Sequence, residues 1–349
     1  MADIRIAAPA LTAVVAAIVA AGGSEDREAE VVATNLVAAN LAGHDSHGVG
    51  MLPRYIEVLL AGDLKPNQHP SIELDTGPLL RVNGNEGYGQ VIGKESMELG
   101  IDRAKAHGVC IVGTTNSHHL GRIGHWAEQC LDAGLVSIHF VNVLPRALVA
   151  PFAGRDARFS TNPFCVGIPV AGQPPFVLDM ATSRVAHGKI RVAHNKGEAL
   201  APGILLDAAG DPTTDPKHAV VEPLGAILPF GGHKGYGLAV ACELLAGAVA
   251  GGKTLHRGGD DRRQIINNML SVLIEPGIYG TQDACAEQAA AFVDWLKESP
   301  PRSGQDVMIA GDPERRTRAT RLADGIPVDE TTWEQIRAAG AKVGVSVPG

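Results

Sequence analysis

Six short apolar runs rich in β-branched residues punctuate this 349-residue chain: Val109–Gly113, Leu135–Val143, Phe164–Val170, Phe176–Asp179, Ser271–Ile274 and Val307–Ala310. Each is too short for an independent helix and is expected as a buried strand. Between and around them, apolar residues recurring at helical spacing place helices near residues 8–22, 25–42, 90–107, 122–133, 236–250, 284–298 and 330–342. Strands and helices mixed in this way predict an α/β fold, a mixed-sheet core flanked by helices. The two ends are mainly helical, so residues 1–75 and 285–349 are expected to pack together as one unit around a core of residues 76–284. The core is not expected to be of Rossmann type. Gly48-Val49-Gly50, Gly87-Tyr88-Gly89 and Gly235-Tyr236-Gly237 all lack the third glycine of a G-x-G-x-x-G phosphate turn.

Composition removes several function classes. A hydrophobic fraction of 45% with 19% charged residues excludes intrinsic disorder. The balance of 30 basic against 38 acidic residues, with no basic block, argues against a nucleic-acid or anionic-membrane partner. The five cysteines (Cys110, Cys130, Cys165, Cys242, Cys285) form no C-x-x-C pair and sit mostly in apolar runs, as free thiols in a reducing compartment would. Ala7–Gly23 is apolar, but Asp3 accompanies Arg5 before it, and it is shorter than the ~20 residues of a membrane span. Ser24-Glu25-Asp26 then opens a second helix. Two packed helices and a cytoplasmic protein are expected.

The polar chemistry is concentrated in a few glycine-rich stretches. Gly43-His44-Asp45-Ser46-His47-Gly48 places imidazoles beside glycines that let a ligand approach, which suits a proton donor or acceptor near neutral pH. The same residues could equally form a turn capping the helix that Pro53 begins. A Ser-His-Asp triad is disfavoured, because adjacent residues do not reach relay geometry and no G-x-S-x-G elbow occurs. Asn116-Ser117-His118-His119-Leu120-Gly121-Arg122 ends a strand and opens a helix, a position suited to anion or carbonyl recognition. A metal site drawing on His44, His47, His118, His119 or His125 is the rival, although no familiar zinc spacing is present. Phe159-Ser160-Thr161-Asn162-Pro163 is a polar turn. Asp179 ends an apolar strand, where it could orient a histidine, bind a ribose hydroxyl or cap a helix. Gly231-Gly232-His233-Lys234-Gly235 is a cationic helix entrance suited to phosphate.

In number and order, the stretches GHDSHGVGMLPRY, NSHHLGRIGHWAEQC, GRDARFSTNPF, LDMATS, HKGYGL, IAGDPERR and IPVDETTW make the chain similar to the malate/L-lactate dehydrogenase family that lacks a Rossmann fold. The resemblance covers almost the whole chain. It implies a homodimer with its active site near the subunit interface, and an extended nicotinamide cofactor on the core of residues 76–284. NAD is expected, with NADP left open by Arg315-Arg316, which could accept a 2′-phosphate. His47 would be the acid/base and touch the nicotinamide, and Asp179 would orient or polarise it. Gly121, Arg122, Ile123, Val177, Leu178, Asp179, Met180, Ala181, His233, Gly311, Asp312, Pro313 and Glu314 would line the cofactor. Asn267 is a looser match, and Lys234 joins them from the helix entrance.

On the substrate side, the resemblance points to Ser46, His119 and Thr161. Where many relatives carry an arginine four residues after the catalytic histidine, this chain has Met51. Methionine forms no bidentate carboxylate pair, so an anion must find another partner, with Arg54, Arg122 and Arg146 the candidates, or be absent. Met51 also gives a soft apolar wall, consistent with an aryl or alkyl side chain. The expected reaction is hydride transfer between the nicotinamide and a broad range of 2-oxo/2-hydroxycarboxylic acids, with no resident metal. Reduction of a cyclic imine or diketo-sugar acid, a metal-dependent hydrolase or lyase, and a non-catalytic nucleotide-binding protein are the alternatives.

Overall fold

The computed structural model describes residues 3–256, 264–280 and 282–347. Strand β1 (Asp3–Ile6) leads to helices α1 (Ala8–Ala21), α2 (Asp26–Leu41) and α3 (Leu52–Leu60). The hairpin β2 (Ser71–Asp75)/β3 (Leu79–Asn83) and helix α4 (Gly89–His107) precede β4 (Val109–His118), α5 (Gly124–Asp132) and β5 (Val136–Leu144). Strands β6 (Phe164–Ile168) and β7 (Phe176–Met180) are followed by α6 (His187–Lys196) and the short strands β8 (Leu205–Leu206), β9 (Pro212–Thr213) and β10 (Ala226–Ile227). Helix α7 (His233–Cys242) runs on as a π-helix over Glu243–Val249. Then come β11 (Ile266–Ile274), α8 (Gln282–Lys297), α9 (Asp312–Asp324), β12 (Ile326–Asp329) and α10 (Glu330–Lys342).

The principal sheet has seven strands in the order β2-β3-β4-β11-β5-β6-β7, with only β3 and β4 parallel. Strand alternation covers both of its faces. Val112 packs towards α4, where a Cβ on Gly100 would lie 2.6 Å from its side chain. Its neighbour Gly113 faces Ala250 at the end of the π-helix. Helix α5 presses onto α4 so closely that a Cβ on Gly93 would stand 2.6 Å from the Trp126 ring, and only glycine fits. The fold is thus a mixed sheet flanked by helices.

A separate helical layer holds the two ends of the chain together. Leu11, Val15 and Ile18 of α1, Val32 and Leu36 of α2, and Leu52 and Ile56 of α3 share one apolar core with Ile326, Trp333 and Ile336. Strand β1 pairs antiparallel with β12, from Asp3↔Asp329 to Ile6↔Ile326, and closes this layer. Helix α8 packs elsewhere, through Val293 and Leu296 against Val170, Phe176 and Ile309. Residues 307–310, expected as a strand, form none. They pass the edge of β7 with one backbone bond, Val177 N to Ala310 O (3.2 Å). A third apolar cluster (Val149, Phe159, Ile190, Leu205, Ile227) builds a small lobe around β8–β10 and α6. Sheet, helical layer and lobe leave an open cleft of about 2160 Å³ between them.

Candidate active site

The turn after α2 is fixed from several sides. Asn40 Oδ1 accepts from Val49 N–H (2.8 Å), and its Nδ2 donates to Asp45 (2.6 Å). A Cβ on Gly48 would come within 2.1 Å of that Asn40 oxygen, so the packing requires glycine there. Helix α9 grips the turn from outside: Arg321 forks onto both carboxylate oxygens of Asp45, and Glu314 pairs with His44 at 3.2 Å. The His44 hydrogen bond holds the Glu314 carboxyl below the usual range. Ser46 Oγ lies 2.9 Å from His47 Nδ1. Burial, reinforced by the charges of His44 and Arg122, pushes His47 down to about 4.

The end of β4 supplies the facing imidazole. His119 stacks on His47 with ring centroids 5.6 Å apart and planes inclined at 25°. Its Nδ1 lies 2.7 Å from the buried Tyr55 hydroxyl, which also accepts from Gln90 Nε2 (2.9 Å). Burial, then the neighbouring His47 and His118, hold His119 well below its ordinary pKa. Tyr55 ends the GHDSHGVGMLPRY stretch without standing out in it, and Gln90 lies in none of the quoted stretches. Each is separated from His119 by tens of residues, so only the fold reveals them.

Ser46, His47, Met51, Arg54, His119 and Thr161 all line the cleft. So do Gly121, Arg122, Ile123, Asp179, Met180, Ala181, Asn267, Pro313 and Glu314. Val177 and Gly311 line a small cavity adjoining it, together with Asp179, Arg122 and Glu314. Leu178 is half-buried in β7, and Asp312 is occupied by Arg315 (2.6 Å) and the Ile309 N–H (3.1 Å). Asn267 spends its amide on backbone, accepting from Leu120 N–H and donating to Asn142 O, so it shapes the wall.

His233 and Lys234 are exposed at the start of α7 and do not line the cleft; His233 sits edge-on to Phe152. The glycine of that entrance serves packing, since a Cβ on Gly235 would meet the Phe230 carbonyl oxygen at 1.9 Å. Asp179 does not hydrogen-bond His47. Its Oδ2 accepts from Gly124 N–H (2.8 Å) at the first turn of α5, where helix polarity and Arg122 favour an anion. Burial outweighs these and raises its carboxyl above the usual range.

For an anionic partner, Arg54 is already tied to Glu57 (2.9 Å), whereas Arg146 is exposed on the cleft wall. Arg122 is 3% exposed and pairs with Glu128 through Nη2, while its Nε and Nη1 are buried without a partner. Such orphaned charged donors mark a place for a polar ligand. The donor set and the adjoining Gly121, with φ +73°, fit the edge of a nicotinamide nucleotide. Among the described residues, no three His, Cys, Asp or Glu side chains converge on one possible metal position. No helix of the described residues is long and apolar enough to cross a membrane.

Comparison with known proteins defines the class. Residues 6–337 match the family described as malate/L-lactate dehydrogenase, and the chain belongs to that oxidoreductase family, whose activity implies a nicotinamide cofactor. It is 46% identical to hydroxycarboxylate dehydrogenase B of Escherichia coli O157:H7, over 98% of this chain and 95% of that one. It is also 40% identical to L-lactate dehydrogenase of Cupriavidus necator, over 92% of each. Among solved structures, sulfolactate dehydrogenase from Methanocaldococcus jannaschii superposes with a TM-score of 0.87 at 31% identity, covering 98% of both chains.

Proposed function

We propose that the chain is an NAD-dependent 2-hydroxycarboxylate dehydrogenase of broad substrate range, with His47 as its acid/base. The observation that carries this reading is the stacked His47–His119 pair beside the orphaned donors of buried Arg122. When bound, the nicotinamide gives or accepts the hydride at C2 of the acid. In the oxidative direction, neutral His47 takes the hydroxyl proton; the depressed pKa makes neutral imidazole the form present at neutral pH. In the reductive direction, His47 in its protonated form gives that proton to the developing alkoxide, and a substrate carboxylate nearby favours its protonation.

Arg122, with Gly121 and Ile123 on one side and Asp179 to Ala181 on the other, would hold the cofactor. Asp179, beside Arg122, would act on His47 through that arginine's charge, as a positioning residue. With Met51 half-buried against the helical layer and Arg54 engaged by Glu57, the substrate carboxylate is left to Arg122 or Arg146. NAD is favoured over NADP because Arg315 is taken by Asp312 and the Pro175 carbonyl, and Arg316 by Asp306. We assign the working form as a homodimer, as the family resemblance implies, in the reducing cytoplasm that its five free cysteines suit.

NADH and NADPH oxidation across a panel of 2-oxo acids, cyclic imines and diketo-sugar acids tests the reading. Turnover of 2-oxo acids with NADH is the expected result. Turnover confined to cyclic imines would reassign the substrate, and an absence of any turnover with bound NADH would remove the enzymatic reading.

A further inference from the structure

We propose that Tyr55 and Gln90 are positioning residues that hold His119 in the tautomer with its proton on Nε2. His119 then serves the cleft as a fixed hydrogen-bond donor and takes no part in proton transfer. Gln90 is fully buried, and its Nε2 lies 3.4 Å from the His119 carbonyl oxygen and 2.9 Å from the Tyr55 hydroxyl oxygen. A carbonyl oxygen carries no proton, so the amide end facing it is the NH2 group. That group therefore also donates to Tyr55. The single proton of the Tyr55 hydroxyl remains for its other neighbour, His119 Nδ1 at 2.7 Å. Nδ1 must accept, so the ring proton of neutral His119 resides on Nε2.

The surroundings keep this arrangement rigid. Tyr55 is fully buried, with its ring edge-on to His118 (5.5 Å) and Tyr88 (6.0 Å). Glycine at position 121 lets the chain cross close above Gln90: a Cβ there would lie 3.5 Å from Nε2 and 2.9 Å from Asn35 Oδ1. His119 lines the cleft, and among the described residues only its Nδ1 is taken up by a hydrogen bond within the chain. Burial and the two adjacent histidines keep the ring from carrying a second proton at neutral pH.

The chemical consequence separates the two stacked imidazoles. With Nε2 protonated, His119 has no lone pair towards the cleft and cannot take a proton from an alcohol. Moving its proton to Nδ1 would make both neighbours donors to the Tyr55 oxygen and leave the buried hydroxyl proton without an acceptor among them, at the cost of one unmade hydrogen bond. A neutral imidazole N–H is also too weak an acid to release its proton in turnover. What it can do is point a preorganised donor at a carbonyl or carboxylate oxygen. That last step rests on the dehydrogenase reading of the cleft; the tautomer does not.

Long-range ¹⁵N–¹H correlation spectra of the ¹⁵N-histidine-labelled full chain test the tautomer directly, with His119→Gln identifying the resonances. A pyrrole-type shift at Nε2 and a bare shift at Nδ1, constant from about pH 5.5 to 8.5, is expected. A proton on Nδ1, or a titration within that range, would overturn the proposal. Tyr55→Phe keeps the ring and removes the hydroxyl. It should spread the proton over both nitrogens and lower kcat/KM for 2-oxo acids about tenfold, the scale of one lost hydrogen bond. The pH limb assigned to His47 should stay in place. If that limb vanishes in Tyr55→Phe, His119 transfers protons and the proposal is wrong. If the wild-type chain turns over no 2-oxo acid, the dehydrogenase reading fails while the tautomer is still decided by the spectra.

Discussion

Helix α1 and the end of strand β4 are equally hidden from water and chemically opposite. In α1 the buried side chains are Leu11, Val15, Ile18 and Val19. In β4 and the residues after it, Thr114, Thr115, Ser117, His118, His119 and Arg122 are buried within a few positions. The first set is apolar and leaves no polar side chain to satisfy. The second leaves both ring nitrogens of His118, the Thr114 hydroxyl and two Arg122 donors without partners. Burying unpaired polar groups costs stability, so the cleft wall persists because apolar layers elsewhere overdetermine its position. Stability and chemistry therefore reside in different residues, and mutations should separate them.

The widest separation is expected at His47. His47→Gln should lower turnover about 10²–10⁴-fold, the usual contribution of a positioned acid/base, while the melting temperature stays near that of the wild type. Steady-state kinetics with calorimetry on one preparation measure both, and retention of a tenth of the turnover would exclude His47 as the proton carrier. The pH profile sharpens the point. With His47 pushed down to about 4, alcohol oxidation should be level from neutrality to about pH 5 and decline below, as the imidazole gains its proton. Reduction should respond in the opposite sense.

The reverse dissociation is expected at Ile18, fully buried in the helical layer. Ile18→Ala should cost about 2–5 kcal/mol in denaturant unfolding. Turnover per folded molecule should change less than twofold. A comparable loss of kcat would show that the helical layer tunes the cleft rather than only supporting it.

The legible parts of the fold divide along the same line. Helices near 8–22, 25–42 and 90–107 announce themselves through apolar spacing, because they bury an apolar face. Helix α9 (DPERRTRATRLAD) does not: it buries no side chain fully and is held by Pro313 in its first turn and by Glu314 and Arg321 reaching the residue 44–45 turn. Helix α6 (HGKIRVAHNK) is hidden from the sequence by the same polarity. The His47 and His119 stretches stand out as dense polar motifs, yet nothing in them marks Tyr55 or Gln90 as the partners that fix His119. The Tyr55–His119 and Gln90–Tyr55 bonds join residues 64 and 35 positions apart, and such pairs leave no spacing to read. At the glycine-rich entrance beside Lys234, one glycine, Gly235, is required by the close approach of Phe230, a packing reason the sequence does not display.

A smaller effect distinguishes the sheet from the helical layer by acid. His139 is fully buried between Ser271 (Nδ1, 2.8 Å) and Ser137 (Nε2, 3.0 Å), and burial pushes it down to about 3. The unfolded chain binds this proton near pH 6.5 and the folded chain does not, so stability is lost as pH falls below 6.5. The slope is about 1.4 kcal/mol per pH unit for this one group. His139→Gln should flatten unfolding free energy against pH by that amount between pH 6 and 4. An unchanged slope would place the acid sensitivity elsewhere.

The smallest effect expected lies where the two chain ends meet. Asp329 caps α10, accepting from Thr332 N–H at 2.9 Å and from the Thr332 hydroxyl at 2.7 Å. Asp329→Ala removes a cap worth about 1 kcal/mol, with no apolar surface lost from the layer. Because α10 packs through Trp333 and Ile336 against the core shared with α3, fraying of its first turn weakens the apolar packing of that layer. The unfolding midpoint should fall slightly while KM for the oxo acid and for NADH stay put. A shift in KM with no shift in the midpoint would mean that α10, whose Gln335 and Lys342 border the cleft, shapes the site directly, and the division between the two regions would then fail at this helix.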